Sequence, residues 1–198
     1  MGKIFYIMGK SAAGKDHIYS LLAENEELHL KKMILYTTRP IREGEENGRE
    51  YFFTGEETRN RFREEGRLIE ERSYNTIHGI WTYYTADDGQ VNLEKYDYIG
   101  IGTLESFVKL KEYYGEDMVI PIYIEVEDGE RLSRALFRER QQSSPKYSEM
   151  CRRFLADAED FYEQKIQEAG IIRRFENKDL KNCTEEIILY IKAVQNEK

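Results

Sequence analysis

Residues 9–16, Gly9-Lys10-Ser11-Ala12-Ala13-Gly14-Lys15-Asp16, have the types and spacing to hold phosphate. Two glycines five apart, the second followed by lysine, allow a tight loop whose backbone N–H groups turn inward on an anion. Gly9 and Gly14 admit backbone angles and close approaches that a Cβ would block. Lys15 is a mobile point charge able to reach outer phosphates. The last position holds Asp16, where such loops have a serine or threonine hydroxyl for Mg²⁺.

A phosphate loop works only between a strand and a helix N-terminus, where free N–H donors and partial positive charge meet the anion. Both flanks fit. Residues 3–8 are a short apolar run suited to a buried strand, and Ile18, Leu21 and Leu22 recur at helical spacing behind the loop. The spacing further predicts strands at 33–36, 51–53, 97–102, 118–126 and 171–175, Pro121 weakening the fourth. Residues 68–85 alternate as antiparallel strands do. Helices are expected at 56–65 (stopped by Gly66), 104–113, 130–140, 147–168 and 184–194, Thr184 opening the last. Alternating strands and helices imply an α/β protein with a mainly parallel sheet covered on both faces, and a ligand beyond the strands' carboxyl ends. Residues 35–86 break that alternation and form a candidate inserted lobe.

The bulk properties narrow the function. The 198 residues suffice for one sizeable α/β domain. With 38 acidic against 30 basic side chains and a net charge of −8, binding to a nucleic acid polymer is disfavoured. Two cysteines, Cys151 and Cys183, make neither a disulfide framework nor a zinc site. No run reaches membrane length and no secretory leader is evident, so a cytoplasmic protein, monomeric or homodimeric, is expected.

The segment Thr37-Thr38-Arg39-Pro40-Ile41-Arg42-Glu43-Gly44-Glu45-Glu46-Asn47-Gly48-Arg49-Glu50-Tyr51-Phe52-Phe53 resembles the guanylate kinase pattern T-T-R-x-x-R-x-G-E-x-x-G-x-x-Y-x-F. The resemblance implies a P-loop NTPase-like fold: a mainly parallel five-stranded sheet flanked by helices, a small mixed β substrate-binding lobe and a helical lid. The core would be about 1–34 and 87–198, the lobe about 35–86 and the lid about 131–155, all in one domain. It implies the reaction of ATP with GMP, or dGMP, to give ADP and GDP, with Mg²⁺ as cofactor.

Chemistry accompanies each implied role. Arg39 and Arg42 would grip the acceptor phosphate by charge-assisted hydrogen bonds, and Tyr51 would add a hydroxyl. Glu70 matches the guanine-reading glutamate, since a carboxylate accepts from N1–H and the exocyclic amine together, a donor pair adenine lacks; Glu71 is its neighbour in register. Tyr83 and Thr85 align with a tyrosine for phosphate and a hydroxyl for guanine, with His78-Gly79 as a second register. Arg138 and Arg153 match lid arginines that close on the transferred group and stabilise its spread charge. Each has a basic neighbour, and Arg131 and Arg134 read as ordinary helix surface. Asn177 matches the residue beside adenine. Gly9, Ser11, Ala12, Ala13, Gly14, Lys15 and Asp16 would hold ATP, with Asp16 a candidate metal ligand.

Three positions depart from the family. Asp16 replaces the hydroxyl, Leu35 stands in place of a serine near the nucleotide, and Ile99-Gly100-Ile101-Gly102 replaces a strand ending in D-x-D. They leave two further readings open: a nucleotide-binding module of this fold with little or no turnover, or a kinase with another acceptor.

Overall fold

The structure is a computed structural model and describes residues 1–76 and 79–197. In chain order the elements are β1 (Ile4–Met8), α1 (Lys15–Ala23), a 3-10 turn (Glu26–Leu28), β2 (Leu30–Lys32), β3 (Tyr36–Thr37), β4 (Phe52–Phe53), α2 (Glu56–Glu64), β5 (Leu68–Thr76), β6 (Gly79–Ala86) and β7 (Asp97–Ile101). There follow α3 (Leu104–Tyr114), β8 (Val119–Glu125), α4 (Asp128–Arg140), α5 (Tyr147–Asp160), α6 (Glu163–Glu168), β9 (Arg174–Glu176) and α7 (Leu180–Asn196).

Five strands form one parallel sheet in the order β2-β7-β1-β8-β9. Every side chain of β1 is buried, and alternation sends them to opposite faces. Ile4, Tyr6 and Met8 join Phe107 and Leu110 of α3 and Ile166 of α6, whereas Phe5 and Ile7 join Ile18 and Leu22 of α1 and Ile187 and Ile191 of α7. Burial on both faces explains why β1 reads as a continuous apolar run. A second, mixed sheet in the order β4-β3-β6-β5 makes the lobe, packed on α2 through Tyr36, Phe62, Tyr84 and Ala86. The fold is the expected one, a five-stranded parallel sheet between helices with a small mixed β lobe.

Three local expectations are corrected. The apolar run 33–36 is not one strand. Residues 30–32 pair in the large sheet and 36–37 in the small one, and the Gln90 side chain takes both the N–H and the carbonyl of Ile34, at 2.7 and 3.0 Å. Met33 and Leu35 are buried as core side chains of the crossing, not as strand residues. The helix expected over 147–168 breaks between α5 and α6, where Phe161 leaves helical geometry and stacks on Tyr123 of β8 at 5.8 Å. The last helix starts at Leu180, capped by Asp179, which accepts from the Asn182 N–H; Thr184 is buried inside it and donates to the Leu180 carbonyl. Pro121 does lie within β8, at a level that β9 does not reach, so its missing donor costs no bond on that edge.

Candidate active site

The loop between β1 and α1 is fitted closely from both sides. A Cβ on Gly9 would stand 2.5 Å from the Ile124 carbonyl oxygen, so only glycine lets the chain leave β1 past β8. Gly14 has φ 87°, and a Cβ there would stand 2.5 Å from Asn177 Nδ2. Ala12 is left-handed as well, at φ 63°, a conformation costly for a residue with a side chain. Gly14 caps α1 with no side-chain acceptor. The first N–H groups of that helix are therefore left to an incoming anion. Lys15 Nζ lies 3.4 Å from the exposed carboxylate of Asp16.

Neighbours from distant parts of the chain brace this loop. Asn177 is buried and its amide donates to the Ala13 carbonyl at 2.8 Å. Ser11 donates to Asp157 through its N–H (2.9 Å) and hydroxyl (3.2 Å). Arg131 donates to the Ser11 carbonyl at 2.9 Å and to Asp157 at 3.2 Å, and pairs with Asp128. It is 1% exposed with its guanidinium over the Phe154 ring, so the expectation of an ordinary helix-surface arginine is overturned. Arg134 does pair with Glu130, yet it also donates to the Asn177 carbonyl at 3.0 Å.

On the lobe, Arg39 is buried with both terminal nitrogens on Glu45 (2.7 and 2.6 Å), and this pair holds the Glu45 carboxyl down at about 2. Its guanidinium faces the rings of Tyr51 and Phe53 and lies close enough to Tyr83 to interact with its phenol. Arg39 Nε is buried without a partner, an unsatisfied donor in a site proposed to take an anion. Arg42 is exposed and near Trp81. Tyr51 and Tyr83 touch edge to face, at 5.5 Å. Burial raises the Tyr51 phenol, and Tyr83 and, more weakly, Asp16 add to the rise. Asp16 thus acts on Tyr51 through its charge, from the loop to the lobe.

Further along β5, Glu70 is buried and accepts from Thr85 Oγ1 at 2.8 Å and from Arg72 at 3.0 Å. Glu71, the neighbour in register, turns the other way and pairs with Arg59 and Arg63 of α2. Tyr83 and Thr85 thus stand with Arg39 and Glu70 respectively. Of the second register, Gly79 opens β6, and His78 lies outside the described residues.

Not every expected residue gathers here. Arg138 is exposed in the last turn of α4, and Arg153, with Arg152, pairs with Glu149 at 2.8 Å, lowering that carboxyl to about 2. Neither hydrogen-bonds to the loop among the described residues. No group of three His, Cys, Asp or Glu side chains that could hold a metal occurs among them either. Four contributors were missed in the sequence: Arg131, Asp157, Arg72 and Glu45. Glu45 was legible, because the arginine signature itself contains it. Arg72 shares a strand face with Glu70 by the alternation of β5, but nothing local marks Asp157 or the burial of Arg131.

Comparison with known proteins bears on the same regions. Residues 1–83 match the family model described as guanylate kinase, a span holding the loop, the arginine signature and Glu70. The guanylate kinase of Malacoplasma penetrans is 45% identical over 69 residues, 35% of this chain and 35% of that protein. The chain thus spans only about a third of that relative in the matched stretch. The guanylate kinase of Caldanaerobacter subterraneus subsp. tengcongensis is 33% identical over 63% of this chain and 49% of its own length. That of Porphyromonas gingivalis is 28% identical over 94% of this chain and 95% of its own. The crystal structure of guanylate kinase from Anaplasma phagocytophilum shares the fold, with a TM-score of 0.63 at 20% identity over 97% of this chain and 85% of that one. Family model, relatives and fold point the same way: residues 1–83 are similar to guanylate kinases, and the chain shares their fold along nearly its whole length.

Proposed function

We propose that the protein transfers the γ-phosphoryl group of ATP to GMP or dGMP. An oxygen of the acceptor phosphate attacks the γ-phosphorus, that bond forms as the β–γ bridge breaks, and ADP leaves. The observation that supports this reading is a pair of anion-ready surfaces: the uncapped N-terminus of α1 beside Lys15, and buried Arg39, its Nε unpartnered, beside Tyr51.

The loop N–H groups and Lys15 hold the donor phosphates, with Gly9, Ser11, Ala12, Ala13 and Gly14 shaping the cradle. Asn177 serves the donor side by fixing the Ala13 carbonyl, next to the loop's second glycine. Arg39, Arg42, Tyr51 and Tyr83 receive the acceptor phosphate. Glu70, oriented by Thr85, reads the guanine edge. Arg138 and Arg153, exposed on the two lid helices, are delivered to the reacting group by closure, which also keeps water from ATP. Among the described residues Arg153 pairs with nearby, partly exposed Glu149 alone, so it gives up little to move.

The residues fit a Mg²⁺ that arrives with the nucleotide, because such ions keep waters and phosphate oxygens and need only one or two carboxylates. Asp16 is the residue we assign to it, and the ion would supply positive charge to the transferred phosphate. Two unpaired cysteines suit a reducing, cytoplasmic setting within purine nucleotide metabolism. No helix among the described residues is long and apolar enough to cross a membrane. The comparisons lend no support to a binding-only protein or to another acceptor.

A coupled assay tests the proposal: ADP formation in Mg·ATP rises on adding GMP and is lost in Lys15→Ala. No stimulation by GMP would overturn it.

A further inference from the structure

The carboxylate assigned to guanine already has an occupant. Arg72 lies two residues beyond Glu70 on the same face of β5. Its Nε donates to Glu70 Oε2 at 3.0 Å, and its Nη2 faces Oε1 at 3.5 Å. Its Nη1 donates to Thr103 Oγ1 at 3.0 Å. Thr103 caps α3 in the core, so one guanidinium ties the lobe to the body of the protein. The two side chains are nearly out of solvent, at 13% for Arg72 and 3% for Glu70.

Two N–H groups of one planar cation thus address two oxygens of one carboxylate. Guanine approaches a carboxylate in the same way, with N1–H and the exocyclic amine as coplanar donors. We propose that Arg72 is a further acceptor-site residue, which holds Glu70 as an internal stand-in for the guanine edge and exchanges with GMP when it binds. This rests on the acceptor reading above. A buried carboxylate without a cation is costly, and the Arg72 guanidinium is that cation while the site is empty. The neutral guanine donors then replace the Nε and Nη2 contacts, and the Thr103 hydroxyl gives the displaced guanidinium an anchor.

Such an exchange lowers apparent GMP affinity by the fraction of Glu70 left free. Weakening the fork raises that fraction. Calorimetric titration of GMP into the intact protein, Arg72→Gln and Arg72→Lys, with no ATP present, tests this. Arg72→Gln is expected to bind GMP about tenfold more tightly than the native chain. Arg72→Lys, a point donor without the fork, falls between them. A purely structural arginine would give unchanged or weaker binding on removal, and either result in variants that melt cooperatively overturns the proposal. If Arg72→Gln does not fold, Arg72→Lys decides alone by the same criterion. If the native chain binds GMP and the variants gain nothing, only the role of Arg72 falls; if none of the three binds GMP, the acceptor reading falls with it.

Discussion

Tyr6 and Gly102 share one space. The Tyr6 hydroxyl, hydrogen-bonded to Ser106 Oγ at 2.8 Å, fills the position that a Cβ on Gly102 would take. Gly100 is closed in the same manner, its Cβ direction ending 2.8 Å from the Tyr6 ring and 2.9 Å from Met33 Cε. The missing D-x-D pair is therefore not a simple deletion of two carboxylates. A tyrosine on β1, Gly100 on β7 and Gly102 just past its end form one packing unit, with Tyr6 opposite Gly100 in the paired strands. Burial pushes the Tyr6 phenol well above its usual range, so it stays neutral there.

The coupling has a measurable size. Gly102→Ala is expected to cost about 1–3 kcal/mol in denaturant unfolding, as overpacked cores do. In a Tyr6→Leu background the same change should cost clearly less, with an interaction energy of at least about 0.5 kcal/mol. Strictly additive losses would mean that the two residues do not compete for one volume.

Asp16 is exposed at the start of α1, beside Lys15. With Gly100 and Gly102 at the carboxyl end of β7 and its only acid, Asp97, at the other end, loss of Asp16 should weaken the hold on a metal bound with ATP. Asp16→Ala is expected to raise the Mg²⁺ concentration for half-maximal rate several-fold, and Asp16→Ser to recover most of it, since a hydroxyl also binds Mg²⁺. A Mg²⁺ dependence unchanged in Asp16→Ala would remove Asp16 from the metal's surroundings.

Glu45 supplies a pH-dependent term. Its carboxyl is held at about 2, chiefly by hydrogen bonds from Arg39, against an ordinary value of 4.5. A carboxyl depressed on folding contributes stability that is complete above the unfolded value and is lost as pH falls through the folded one. Glu45→Gln should therefore be less stable than the native chain at pH 7, and the gap should close between about pH 4.5 and pH 2. Acid titration of the unfolding midpoint in both proteins checks this, and a gap that persists at pH 2 would assign the loss to packing.

The sequence disclosed what is local. The loop announced itself because strand, glycines, lysine and helix are contiguous, and β5 and β6 because polar and apolar residues alternate over part of each, up to the bulge near Leu68. The break at Phe161 was hidden, since its cause is the Tyr123 ring on a strand more than thirty residues earlier. So was the division of residues 30–37 between two sheets, which depends on Gln90 capturing the Ile34 backbone. Arg131 looked like surface because its i+3 and i+4 neighbours are ordinary, yet its partners Ser11 and Asp157 come from the loop and from α5. Arg39 and Glu45 were legible as a motif, but their pairing was not.

Transfer to GMP is tested most directly by resolving the nucleotides after incubating the protein with ATP, Mg²⁺ and GMP. GDP and ADP are expected to appear in equal amounts, with no GDP formed by Lys15→Ala. ADP accompanied by free phosphate and no GDP, or ATP left intact, would contradict phosphoryl transfer from ATP to GMP.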